Sequence, residues 1–167
     1  MLKPVDIKDL KSVKERFTLK GKKVIVTGAT SGYGMATSAA IAELGGDVAM
    51  VGLPTPKAEE NAEYLAKKDG VDVFTSDADV SKKDDVQRMM DTVLKRFGRL
   101  DAVHSNAGII SADDNGDMPL ESWQRMIDVN LTGTFLVNQA AAVYMRDNGI
   151  KGCVVNTASM SGHVVNQ

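Results

Sequence analysis

The feature that most limits how this chain can fold is a repeated alternation. Five short runs rich in β-branched and other apolar residues punctuate the sequence: Lys23–Thr27, Asp47–Val51, Val71–Ser76, Leu100–Ser105 and Cys153–Thr157. Stretches of helical pattern separate them. The first runs from Tyr33 to Leu44 and stops at Gly45-Gly46; the second covers Lys57–Lys68. The third carries Val86, Met89, Met90, Val93, Leu94 and Phe97 and ends at Gly98. Ser81, with Asp84 three residues on, reads as its capping signal. A long fourth stretch, with a break in it, reaches from Pro119 to Met145. Strands alternating with helices predict a parallel sheet with helices on both faces. Strands covered on both faces read as nearly unbroken apolar runs, as these do. Right-handed crossovers leave few topologies, and the doubly wound order 3-2-1-4-5 is the natural one. The fold class is therefore α/β.

Length and composition narrow the function classes. With 167 residues the chain is one domain's worth. We divide it into an extension over residues 1–20 and a sheet-forming body over 21–167. Leu10, Val13 and Phe17 have the spacing of a short amphipathic helix; a partly ordered tail fits residues 1–20 equally well. The formal net charge of −2 gives no pull toward nucleic acid or an anionic membrane. One cysteine, Cys153, and two histidines supply neither an internal disulfide nor a structural zinc site, so no metal is expected. No apolar run is long enough to span a bilayer, and the charged N-terminus lacks the core of a secretory signal. These features lead to the expectation of a cytoplasmic, reduced protein.

The chemistry concentrates after the first strand, in Thr27-Gly28-Ala29-Thr30-Ser31-Gly32-Tyr33-Gly34. Gly28 permits a tight turn out of the strand. Gly32 lets backbone approach a bound group, and Gly34 lets the helix pack near the sheet. Free N–H groups of the helix's first turn then face an anion, and a dinucleotide pyrophosphate is the natural ligand. Thr30 and Ser31 add hydroxyl donors. The alternative is a tight strand-to-helix turn with no ligand. The spacing G-x-x-x-G-x-G differs from the common G-x-G-x-x-G fingerprint, and the Lys-Ser/Thr of a P-loop is missing.

That spacing resembles the cofactor turn of the short-chain dehydrogenase/reductase family, and further motifs match in order. Asp79-Val80 follows the third strand, where the family places an Asp beside adenine. Asn106-Ala107-Gly108 resembles the family's N-A-G motif after the fourth strand. Asn130, in Asp128-Val129-Asn130-Leu131, is similar to the helix asparagine of the catalytic tetrad, whose backbone carbonyl holds a water of a proton relay. Ser159, in Asn156-Thr157-Ala158-Ser159-Met160-Ser161-Gly162, is similar to the catalytic serine that polarises a substrate carbonyl. The resemblance spans Thr27 to Gly162. It implies a Rossmann-type domain and an NAD(P)-dependent oxidoreductase. Such an enzyme moves hydride between nicotinamide and a small-molecule carbonyl or secondary alcohol.

The chain also departs from the family pattern. Tyr33 stands where the family usually has an aliphatic residue; its ring either lines the nicotinamide side or packs. The second strand ends in Val51-Gly52-Leu53-Pro54, with neither a carboxylate for ribose hydroxyls nor a basic residue for a 2′-phosphate. The missing carboxylate inclines the reading to NADP over NAD, with Lys57 a late contact. The Y-x-x-x-K pair that the family's chemistry needs after the serine loop does not follow Ser159, and later strands of the sheet are missing too. Tyr64 and Lys68 have the spacing but follow the second strand, so they read as a surface pair. We therefore expect a piece of a longer enzyme, one that leaves a bare strand edge prone to association. The competing reading is a short protein that binds dinucleotide without turnover. A flavodoxin-like or methyltransferase-like protein would explain the sheet but not Asn106, Asn130 and Ser159 together.

The Ser159–His163 stretch resembles members acting on sugars and polyols; His163 either bonds a hydroxylated substrate or is a solvated loop residue. On the Pro119–Met145 helix, Trp123, Met126, Ile127, Val129, Phe135, Val137 and Val143 exceed one apolar stripe. Either they form ordinary core, or a second face pairs with another subunit in a homo-oligomer.

Overall fold

The computed structural model describes residues 12, 16–112 and 116–162. Most of the proposed N-terminal helix, with Leu10 and Val13, lies outside them, as does His163. The order of elements follows the expected alternation: β1 (Lys23–Thr27), α1 (Gly32–Glu43), β2 (Asp47–Gly52), α2 (Pro56–Asp69), β3 (Val73–Asp77), α3 (Lys83–Phe97) and β4 (Ala102–Ser105). Next come α4 (Leu120–Met126), a π-helical segment (Ile127–Gly133), α5 (Thr134–Asp147), β5 (Cys153–Asn156) and a single 3₁₀ turn (Met160–Gly162). The five strands form one parallel sheet in the order β3-β2-β1-β4-β5, as the sequence predicts.

Two apolar layers flank the sheet. On one face Ile25, Val51, Phe74 and Val103 pack with Met89, Met90 and Val93 of α3 and with Val137, Ala141 and Met145 of α5. On the other, Val24, Val26, Val48 and Met50 meet Ile41 of α1 and Ala62 and Leu65 of α2. The alternation of strand residues between these sets is the period of two of a pleated strand. Coverage is not uniform. All four residues of β5 are exposed, so the expectation of strands buried on both faces holds for β1 and β2 and fails for β5. β5 has a single strand neighbour, β4, and no strand beyond it among the described residues.

One local expectation is corrected, and the expected break in the fourth helix takes a specific form. Ser81 does not cap α3; the N-cap is Lys82, and no side chain closes that end. The Ser81 hydroxyl is instead held by Asp79 (2.7 Å) and by Arg125 of α4 (2.9 Å). The long fourth helix is interrupted by the π-helical segment, whose wider turn shifts α5 relative to α4.

At the amino edge of the sheet, Asp101 is 6% exposed and ties β4 to β1. It accepts the Lys23 N–H at 3.0 Å and a two-pronged contact from Arg99 at 2.6 and 3.2 Å. Burial pushes the Asp101 carboxyl up, but the Lys23 amide and the Arg99 and Lys22 cations outweigh it and hold the group below its ordinary 3.8. Asp101→Ala leaves those donors unpaired and should lower stability by about 1–3 kcal/mol in urea unfolding. A depressed carboxyl stabilises the fold above its unfolded value. The gap between wild type and variant is therefore expected to be full above 3.8 and to shrink as pH falls through the lower native value.

Candidate functional site

The carboxyl ends of β1, β4 and β5 lie side by side, and from them leave the glycine turn, the Asn106-Ala107-Gly108 loop and the Ser159 loop. The parallel ladder of β1 and β4 stops at Val26 and His104. Side chains continue it. Thr27 Oγ1 accepts the backbone N–H groups of Asn106 (3.0 Å) and Ala107 (3.1 Å). The Asn106 amide nitrogen donates back to the Thr27 carbonyl at 3.1 Å, with the Gly28 carbonyl at 3.5 Å. The N-A-G motif and the glycine turn are thus one hydrogen-bonded unit.

Each glycine of the turn has its own reason. Gly28 and Gly32 have φ of +64° and +52°, where side chains are strained. A Cβ on Gly28 would also lie 2.8 Å from Ala107 Cα. Gly34 is buried, and a Cβ there would collide with the Gly28 carbonyl oxygen and stand 2.7 Å from the Asn106 amide nitrogen. Gly32 differs: a Cβ would meet nothing within 4 Å. The space beside Gly32 is open to something from outside the chain.

The start of α1 is electrostatically unfinished. Its first N–H groups have no intrahelical acceptor, Ser31 at the N-cap makes no capping hydrogen bond, and no acid occupies the first turn. Helices α2, α3 and α4 each place an acid there: Glu59, Asp84 with Asp85, and Glu121. The partial positive charge of α1 is left for an external anion. Thr30 is half-buried beside Gly52, and Tyr33, 84% exposed, projects without packing.

Asp79 and Val80 connect this corner to α4 and the π-helical segment. Asp79 accepts from the Ser81 amide and hydroxyl and from Arg125 at 3.1 Å. Burial pushes its carboxyl up, while Ser81 and the Arg125 guanidinium outweigh that and keep it ionised below the usual range. Val80 is buried, and its side chain fills the gap left by Gly133. The π-helical segment carries Asn130, whose side chain pairs with one backbone residue in both directions: Oδ1 accepts the Ile109 N–H (2.8 Å) and Nδ2 donates to the Ile109 carbonyl (2.8 Å). The Asn130 backbone carbonyl accepts the Thr134 hydroxyl at 2.8 Å. The Asn130 side chain fixes the loop after Gly108.

Ser159 is exposed, and its hydroxyl bonds to Ser161 Oγ at 3.1 Å and accepts the Ser161 N–H at 3.2 Å. No hydrogen bond joins it to Asn130 among the described residues; its loop is tied to the site through Thr157, whose hydroxyl donates to Asn106 Oδ1 at 3.0 Å. Sequence reasoning missed Thr27, His104, Arg125, Asn138 and Thr157. Asn138 of α5 links Ser105 (2.7 Å) to Asn156 (2.9 Å), and Thr157 also meets His104 Nε2 at 3.0 Å. Their partners are 18 or more positions away in sequence, beyond any local pattern. Lys57 pairs with Glu60 at 2.8 Å, and Asp77, opposite Gly52 in register, brings a carboxylate to the second-strand corner from β3.

A doubly wound sheet with an open anion-facing turn at its carboxyl edge defines a dinucleotide-binding type of α/β domain. Residues 22–167 match the short chain dehydrogenase family, and the chain belongs to it. It is 37% identical over 168 residues to an NADP-dependent mannitol dehydrogenase of Alternaria alternata, covering 98% of this chain and 62% of that protein. It is 38% identical over 143 residues to glucose 1-dehydrogenase 2 of Bacillus subtilis, covering 85% of this chain and 55% of that one. Among solved structures, a short-chain type dehydrogenase/reductase from Mycobacterium marinum superposes with a TM-score of 0.88 at 40% identity, over 93% of this chain and 63% of the other. An NADPH-dependent 3-quinuclidinone reductase from Rhodotorula rubra gives 0.86 at 36% identity, over 99% and 61%. The chain therefore spans about three-fifths of the length of these proteins. No described helix is long and apolar enough to cross a membrane.

Gly34→Ala tests the packing of the turn. The added methyl has no room between the Gly28 carbonyl and the Asn106 amide, so urea unfolding should show a loss of about 1–3 kcal/mol.

Proposed function

We propose that this chain is the cofactor-binding part of an NAD(P)-dependent oxidoreductase acting on a carbonyl or secondary alcohol of a sugar or polyol, with NADP preferred. The observation that carries the binding half is the uncapped, acid-free start of α1 beside the open space at Gly32. The preference for NADP is supported by the mannitol dehydrogenase and quinuclidinone reductase relatives, whose names specify that coenzyme. The substrate class is supported by the mannitol and glucose dehydrogenases. Turnover is proposed for the whole protein, since the chain spans only part of its relatives' length.

The residues fit such a ligand. The N–H groups of residues 32–34, with the Thr30 and Ser31 hydroxyls, would hold the pyrophosphate. Asp79 and Val80 would border the adenine, and Asn106, Ala107 and Gly108 would line the floor between β1 and β4. Tyr33 would stand on the nicotinamide side. Bound nicotinamide supplies the carbon that gives or takes hydride. Ser159 would donate a hydrogen bond to the substrate oxygen, where charge develops as the carbonyl is reduced. Asn130 would keep the loop after Gly108 in place, its backbone carbonyl facing the proton path.

Titration followed by nicotinamide fluorescence tests the binding half. NADPH should bind, and more tightly than NADH; loss of binding to both overturns the reading. Gly32→Val places its Cβ where no protein atom lies within 4 Å, on the side from which the pyrophosphate approaches, so it should abolish binding; the φ of +52° strains any side chain, so the unfolding midpoint should also fall, by the equivalent of about 1–3 kcal/mol. Unchanged affinity would refute the placement.

The same reading extends to assembly. Trp123, Phe135 and Val143 face outward at 53%, 57% and 39% exposure, while Val129 and Val137 are core. This split supports a second helical face that meets another copy of the chain. Sedimentation should show a dimer or larger species that Phe135→Glu shifts toward monomer.

A further inference from the structure

We infer that His104 is a positioning residue for the glycine turn, acting through a one-way chain of hydrogen bonds. The direction of the chain follows from which groups can donate. One end of the Asn106 side-chain amide faces two carbonyl oxygens, those of Thr27 and Gly28, at 3.1 and 3.5 Å. Carbonyls only accept, so that end is the NH₂ and Oδ1 lies at the other. Oδ1 faces the Thr157 hydroxyl at 3.0 Å, and the single hydroxyl proton is committed to it. The Thr157 oxygen, 3.0 Å from His104 Nε2, is then left to accept, so Nε2 carries the ring proton.

The other ring nitrogen points to the same answer. His104 Nδ1 is shut off from solvent and meets no partner among the described residues. A proton there would be a buried donor with nothing to receive it, whereas a bare lone pair is the less costly state. Burial also disfavours a charged ring, holding His104 below its ordinary titration range. The ring is thus a neutral donor at Nε2. The chain runs from His104 to Thr157, to Asn106, and on to the carbonyls of Thr27 and Gly28. It spans β4, β5 and β1 and ends on the turn whose N–H groups face outward. That the turn serves a dinucleotide rests on the proposed function; that His104 holds the turn does not.

The test has two readouts on the protein without ligand and one with it. Nitrogen-15 spectra of the imidazoles, assigned by loss of the signal in His104→Gln, should show His104 as the neutral Nε2–H form at neutral pH. The Nδ1–H form or an imidazolium overturns the inference. Amide hydrogen exchange at Ala29, Asn106 and Ala107, whose N–H groups are hydrogen-bonded at the junction of the turn with β4, should quicken roughly fivefold in His104→Leu, the effect of one lost hydrogen bond. His104→Gln, whose amide reaches about as far as Nε2, should restore the wild-type rate; equal behaviour of Gln and Leu overturns the inference. If His104→Leu does not fold, Thr157→Val breaks the same chain one bond nearer the turn and should quicken exchange alike, and an unchanged rate counts against the chain. NADPH affinity should follow the same ranking. A wild type that binds no dinucleotide yet shows both ligand-free signatures removes the proposed function and leaves the positioning role intact.

Discussion

The junction of Thr27 and Asn106 is the constraint on which the rest of the site depends. β1 lies at the centre of the sheet, and its ladder with β4 ends one residue short of that junction. Past the last strand pair the two chains must separate, because one enters the glycine turn and the other the loop toward Ile109. A crevice opens at such a divergence, and it is where open parallel sheets bind ligands. An opening crevice exposes backbone groups that no longer have strand partners. Here the Thr27 hydroxyl and the Asn106 amide satisfy four of them, so those backbone groups keep partners where the crevice opens. The Asn106 amide fits only because Gly34 has no side chain. A glycine on one helix and an asparagine on one strand therefore depend on each other.

A second brace works from the opposite side. Arg125 of α4 reaches Asp79 and Ser81, and the π-helical segment presses Gly133 onto Val80. Between these contacts the wider helical turn presents Asn130 to the backbone of Ile109. An ordinary α-helix through the same residues would shift every later position in angle. Asn130 and the α5 residues that face the core, Val137 and Ala141, would then compete for orientation. The π-helical segment lets the buried stripe of α5 and the polar contact at Asn130 coexist.

The parts of this fold that were visible in the sequence are those set by local patterns. Lys23–Thr27 was exact as a strand because a β-branched run between two glycines has few other uses. Gly98, at φ +73°, ends α3 as expected. Ser81 misled because its environment, not its spacing, decides its partner: Asp79 and Arg125 both claim the hydroxyl, and Arg125 is 44 positions away. The π-helical segment was visible only as an uncertain break, since no residue between Ile127 and Gly133 is a helix breaker except the terminal glycine. The candidate site residues that the resemblance proposes are those with short motifs. His104 and Thr157 escaped because each looks like an ordinary strand residue until β4 and β5 are laid side by side.

The electrostatics of the crevice give these contacts a common logic. Its floor is built from neutral groups: amides, hydroxyls and an imidazole that burial keeps uncharged. The Asp79 carboxylate, after β3, is already matched by Arg125 and Ser81. Neither brings a net field to the turn. The unbalanced charge is then the partial positive end of α1, which has no acid in its first turn. A fixed helix end needs no side-chain ordering to receive an anion, whereas a lysine or arginine would lose rotamer freedom on binding. A turn that presents backbone N–H groups at the start of a helix must hold that backbone firmly. This accounts for the number of side chains, from β1, β4 and β5 alike, whose hydrogen bonds converge behind Gly28 rather than in front of it.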